Sequence, residues 1–114
     1  MKENIILDKS FAFAVRIVNM YKYLTSKSEY TLSKQILRSG TSIGANVTEA
    51  QRAQSKPDFI SKMSIALKEA YETEYWLRLL NATEYIEEKV YTRMHNDNEE
   101  LISLLISICK TAKE

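Results

Sequence analysis

The chain has 114 residues, 45% of them apolar and 27% charged, with 16 basic side chains against 15 acidic ones and a single histidine. That size fits one domain with an ordinary hydrophobic core, and the near-balance of charge gives no whole-chain signal for nucleic acid or an anionic membrane. Two glycines and one proline supply too few turn formers for an all-β fold, and a lone cysteine excludes an intramolecular disulfide framework.

The opening run MKENIILDKS places charges on both sides of a short apolar stretch, unlike a signal peptide. The most apolar segment, residues 101–109, is about half the length of a membrane span. The expectation is a cytoplasmic chain with no membrane association, in which Cys109 is a small core hydrophobe.

Helical periodicity recurs four times. The first helix is expected over residues 8–25, where Leu7, Phe11, Ala14, Val18 and Tyr21 form one heptad stripe and Phe13, Ile17, Met20 and Leu24 a second. Together they make a face wide enough for more than one neighbour. The second helix is expected over 29–53, with Leu32, Ile36, Gly40, Ile43, Val47 and Ala50 in its core stripe. Gly40 and Gly44 each cost nearly 1 kcal/mol relative to alanine inside a helix. Because the apolar period keeps its phase across both, they read as points of close helix approach rather than a break.

Ser55-Lys56-Pro57-Asp58 has the form of a helix start, with a serine cap, proline in the first turn and a capping-box-like acid. The third helix is expected over 56–81, on a core stripe of Phe59, Met63, Ala66, Ala70, Leu77 and Leu80 that Thr73 and Glu74 interrupt. Ile65, Trp76 and Leu79 fall nearly opposite that stripe at about 100° per residue, which marks them as a candidate oligomer interface. The fourth helix, over 87–113, has Val90, Met94, Leu101, Leu105, Ile108 and Ala112 on one side, widened by Tyr91, Ile102, Ile106 and Cys109. Acids at its start and lysines at its end match the helix dipole. Four long helices with short connections predict an all-α, antiparallel, up-down-up-down four-helix bundle in a single domain, 1–114.

Little in the chain suggests chemistry. A di-iron bundle needs glutamates from two helices and Glu-x-x-His from two more, whereas three residues before His95 stands Thr92. His95 shares helical spacing with Tyr91 and Glu99 and reads as a surface or half-buried histidine. Cys109 lies among Ile102, Ile106 and Ile108, surroundings that do not activate a thiol. No nucleophile elbow or Gly-rich phosphate loop is present. A non-enzymatic protein without cofactor or metal is expected.

The distribution of charge is more informative than its total. Up to Pro57 the chain carries nine basic and four acidic side chains, and from Asp58 onward seven basic and eleven acidic. Lys34, Arg38 and Arg52 project from helix two opposite its core stripe, and with Lys9 and Arg16 they are candidates for a basic, phosphate-binding surface. The alternatives are a solvated face or a contact with an acidic helix of a neighbouring subunit. Arg38, Ser42, Asn46 and Glu49, at i, i+4, i+8 and i+11, form a polar ladder along helix two, suited to cross-helix hydrogen bonds or to solvent.

The run Gln35-Ile-Leu-Arg38-Ser-Gly-Thr-Ser42-Ile-Gly-Ala-Asn46-Val-Thr-Glu49-Ala resembles the hallmark of the bacterial four-helix-bundle proteins encoded within intervening sequences of 23S ribosomal RNA genes. Phe59 and Ile65-Ala-Leu-Lys68-Glu69-Ala-Tyr-Glu72-Thr-Glu74-Tyr-Trp76-Leu are similar to that family's third helix. Ala50 departs from the glycine many members carry there. The resemblance implies a ring, typically a homopentamer, acting as a non-catalytic scaffold. It also implies a link to accessory proteins of diversity-generating retroelements, which bind a reverse transcriptase and RNA through basic surfaces. By that analogy an RNA-binding accessory role is the alternative function, one that requires Lys34, Arg38 and Arg52 to be exposed on the assembled ring.

Overall fold

The computed structural model describes residues 4–114; Lys2 and Glu3 of the charge count lie outside them. Four helices follow in order: α1 (Ile5–Ser26), α2 (Leu32–Ala50), α3 (Lys56–Ala82) and α4 (Glu88–Lys113). Cross-links between helices set their directions. Asn4 Nδ2, at the head of α1, donates to Gln51 Oε1 just beyond the end of α2 at 2.7 Å. Lys62, early in α3, pairs with Glu49 late in α2 at 3.6 Å. Ser64 approaches Cys109 at 3.9 Å, and Lys9 meets Glu100 at 3.0 Å. Each helix therefore runs antiparallel to its neighbours, giving the four-helix bundle the periodicity predicts.

Helix ends follow side-chain chemistry that period alone does not show. The Asn4 side chain accepts from Leu7 N at 3.2 Å, so α1 starts three residues ahead of the expected Asp8. Helix α2 starts at Leu32 rather than Glu29 because Glu29 serves as its cap. The buried Glu29 carboxylate accepts from the backbone N–H of Thr31, Leu32 and Ser33 at 3.3, 3.1 and 2.7 Å. Burial works against its charge, but those backbone donors outweigh it and hold the carboxyl below the ordinary glutamate range. At α3 the expected start is present: Ser55 Oγ accepts from Asp58 N at 3.2 Å, and Asp58 accepts from Gln54 N at 3.2 Å.

The links α1–α2 and α3–α4 share one device. Ser28 and Glu84 each hold φ 64°, the left-handed conformation that usually falls to glycine at a helix C-terminus. The following amides close the turn, Glu29 N on Leu24 O and Tyr85 N on Leu80 O, both at 2.9 Å. The chain's two glycines stand elsewhere, inside α2, and the helix continues unbroken through both. A Cβ on Gly40 would lie 2.7 Å from Ile17 Cγ1, and one on Gly44 would lie 3.2 Å from the Ser10 carbonyl oxygen. Close approach of α1 and α2 is what these glycines permit.

The core follows the expected stripes of α2, α3 and most of α4, with Ile36, Ile43, Val47, Ala66, Ala70, Leu77, Leu80 and Leu105 fully buried. Thr73, which interrupts the α3 stripe, is buried as well, and its hydroxyl donates to Ser39 Oγ at 2.9 Å. Helix α1 departs from the expectation of one merged face. Phe13, Ile17, Met20 and Leu24 are buried, but Phe11 is 70% exposed, Val15 45% and Val18 36%. About 200° separates Phe11 or Val18 from the α4-facing Lys9 and Arg16, so the row of Phe11, Val15 and Val18 looks outward, away from α4. Among the described residues no helix is long and apolar enough to cross a membrane.

Candidate functional site

The polar groups singled out in the sequence separate onto two opposite seams. At the α2–α3 seam, Arg38 Nη1 donates to both Glu69 carboxylate oxygens at 3.2 Å, and its Nη2 donates to Glu72. Trp76 Nε1 donates to the same Glu72 oxygen at 2.9 Å. Those two donors, Trp76 first and Arg38 second, hold the Glu72 carboxyl below the usual range. Arg38 thus locks α2 to α3 and does not pair with Glu49, which meets Lys62 instead. Ser42 and Asn46 bond back to carbonyls of their own helix, at Arg38 O (2.6 Å) and Ser42 O (2.8 Å). The ladder is therefore not a continuous cross-helix network: Arg38 and Glu49 reach α3, while Ser42 and Asn46 bond within α2.

At the α1–α4 seam, Lys9 pairs with Glu100 at 3.0 Å and Arg16 with Asp97 at 3.5 Å. The joint basic surface of Lys9, Arg16, Lys34, Arg38 and Arg52 expected from the sequence does not form. Its α1 members turn toward α4 and Arg38 toward α3, on opposite sides of the bundle. Lys34 and Arg52 are exposed and have no ion-pair partner among the described residues. Between α1 and α4 runs a groove of about 410 Å³, with Met20, Met94, Ile86 and Val90 among its apolar lining and Arg16 and Arg93 also in its wall.

The three residues expected as an interface do not act alike. Ile65 is 39% exposed, but Trp76 and Leu79 are half-buried, Trp76 packing against the core while its indole is tied to Glu72. Trp76 therefore lies on the rim of the core rather than opposite it. Sequence reasoning passed over Tyr71 and Tyr75, one turn apart on α3, which are 53% and 54% exposed. About 160° and 120° around α3 from the α2-facing Glu69, they point outward from the bundle.

The seam of α3 and α4 holds another group. His95 Nδ1 lies 2.9 and 2.8 Å from the two Glu74 oxygens, and the Tyr91 hydroxyl donates to Glu74 Oε2 at 3.3 Å. The Tyr91 and His95 rings stack with centroids 5.5 Å apart. Burial, then the adjoining Glu74 charge, push the Tyr91 hydroxyl up, so it stays a donor. The sequence signal was Glu74 breaking an apolar stripe; nothing in it paired Glu74 with His95.

The pattern defining the 23S rRNA-intervening sequence proteins matches residues 2–107. The chain belongs to that family. A crystal structure of a protein with unknown function from the S23 ribosomal protein family, from Bacteroides thetaiotaomicron VPI-5482, is 61% identical in sequence, with a TM-score of 0.91. The match covers 92% of this chain and 98% of that one. No curated protein matches the chain. The resemblance read from the Arg38–Glu49 run is thus the family, and in this member the run's arginine is spent on an internal clamp between α2 and α3.

Proposed function

We propose that this intervening-sequence protein is a non-enzymatic scaffold that assembles with copies of itself. The observation that carries the reading is the outward stripe of α1. Phe11, Val15 and Val18, at 70%, 45% and 36% exposure, share the i, i+4, i+7 spacing of a helix-packing seam. Large exposed apolar groups in one row mark an interaction surface. A second strip, Tyr71 and Tyr75, is exposed on α3. Two distinct strips on different flanks suit a head-to-tail contact, the kind that closes into a ring when the rotation allows. A homopentamer is the ring size the family resemblance implies. Sedimentation velocity at micromolar concentration tests this: a multimer that Phe11→Glu reduces to monomer supports it, and a wild-type monomer contradicts it.

Lys34 and Arg52, free of acidic partners among the described residues, favour a second reading: contact with structured RNA. Its expected sign is binding that weakens steeply with salt and is lost on charge reversal at both positions. Absence of binding at low salt sinks it. Three of the five basic candidates are already neutralised within the chain, which makes the scaffold the better supported function.

A further inference from the structure

We propose that Glu74, His95 and Glu99 form a binding site for one divalent first-row transition ion of the zinc class. One ligand atom from each of the three side chains lies within 4.8 Å of those of the other two. Ligand atoms about 2.1 Å from a zinc ion lie roughly 3–4 Å apart, so only a small closure is needed. The exposed Glu99 is free to make it. His95 and Glu99 stand at i and i+4 on α4, one above the other on the helix surface, and Glu74 comes across the seam from α3. The site is therefore built on two rigid elements rather than a loop.

The cluster differs from a chance gathering of surface acids in three ways. It contains an imidazole nitrogen, directed at the Glu74 carboxylate from 2.8 Å. Glu74 is held rather than loose: its side chain is 17% exposed and takes a hydrogen bond from Tyr91, whose ring also stacks on His95. Such outer contacts fix ligand orientation in metal sites. Finally, a His95–Glu74 hydrogen bond accounts for two members and leaves Glu99 without a hydrogen bond or ion pair among the described residues. Two carboxylates converging on one imidazole are a donor set that a divalent cation completes.

One nitrogen and two carboxylate oxygens, without thiolate, suit zinc, cobalt or manganese better than a soft ion. On metal binding His95 would coordinate through Nδ1, with its proton moved to Nε2, and water would fill the remaining positions. Arg78, one turn after Glu74 on α3, and Glu88, two turns before His95 on α4, both lie close enough to act on the neighbouring Tyr91.

The test is calorimetric titration of the full chain with Zn2+, repeated with Co2+ to read its visible absorption. One ion per chain is expected, with Glu74→Gln and Glu99→Gln each weakening binding at least tenfold and Tyr91→Phe weakening it severalfold. Loss on His95→Gln alone is not enough, since a lone surface histidine would give the same result. Binding unaffected by Glu74→Gln and Glu99→Gln overturns the proposal, as does no binding in the wild type. Circular dichroism of each variant, expected to match the wild type, keeps unfolding from imitating lost affinity.

Discussion

Helix α1 meets its two neighbours in opposite ways. Toward α2 the backbones approach so closely that Gly40 lies against the Ile17 side chain and Gly44 against the Ser10 backbone. Toward α4 the helices stand apart over a groove of about 410 Å³ and are spanned by the ends of long side chains, Lys9 to Glu100 and Arg16 to Asp97. One contact is made by removing side chains and the other by extending them. The first buries apolar surface and leaves no ready space for an added side chain; the second is solvated and adds little to stability.

The largest expected effect comes from filling the tight side. Gly40→Val should lower unfolding stability in urea by about 3 kcal/mol through overpacking against Ile17. The milder Gly40→Ala should be partly rescued by Ile17→Ala, which removes all three carbons the new Cβ would meet, with a coupling of about 1 kcal/mol in a double-mutant cycle. A Gly40→Val protein as stable as the wild type would show that the two helices do not need this approach.

Glu29, which caps the glycine-bearing helix, comes next. Glu29→Ala should cost about 1 kcal/mol at neutral pH. Because the folded carboxyl titrates below the unfolded one, its contribution is present above about pH 4.3 and disappears as pH falls through the folded value. The wild type and Glu29→Ala should therefore converge in stability in acid; a difference independent of pH would place the effect elsewhere than in the charged cap.

A smaller effect of opposite sign is expected at the α3–α4 link, which borders the open side. Glu84 holds φ 64°, so Glu84→Gly should raise the thermal midpoint, with a gain of about 0.5–1 kcal/mol from relief of left-handed strain. Least of all, replacing Lys9 and Arg16 by methionine should change stability by under about 0.5 kcal/mol each, and raising salt should erase even that. A large loss there would mean that the groove depends on its ion pairs.

The four helices were legible because each carries an apolar period long enough to read, and Ser55-Lys56-Pro57-Asp58 announced α3 by cap chemistry alone. Gly40 and Gly44 were legible as close-packing positions because the stripe passed through them in phase. Helix α1 was ambiguous for a physical reason: two adjacent apolar stripes are both readable as core, and period alone cannot say which one the chain covers itself. Arg38 was singled out, but its partners Glu69 and Glu72 lie on another helix, beyond the reach of spacing along one helix. Glu74 and His95 escaped notice as a pair for the same reason. The balanced charge of 16 against 15 proved to be partly an internal account of the fold, in which Lys9, Arg16 and Arg38 face acids of the later helices.

The self-assembly reading is tested most directly by mixing two variants, each with one strip destroyed: Phe11→Glu on α1 and Tyr71→Glu/Tyr75→Glu on α3. Each alone should sediment as a monomer. Mixed in equal amounts, they should form a heterodimer, because one retains the tyrosine strip and the other the α1 stripe, and growth should stop there. Assembly of either variant alone to the wild-type size, or a mixture that stays monomeric while the wild type assembles, would contradict a head-to-tail contact through these two strips.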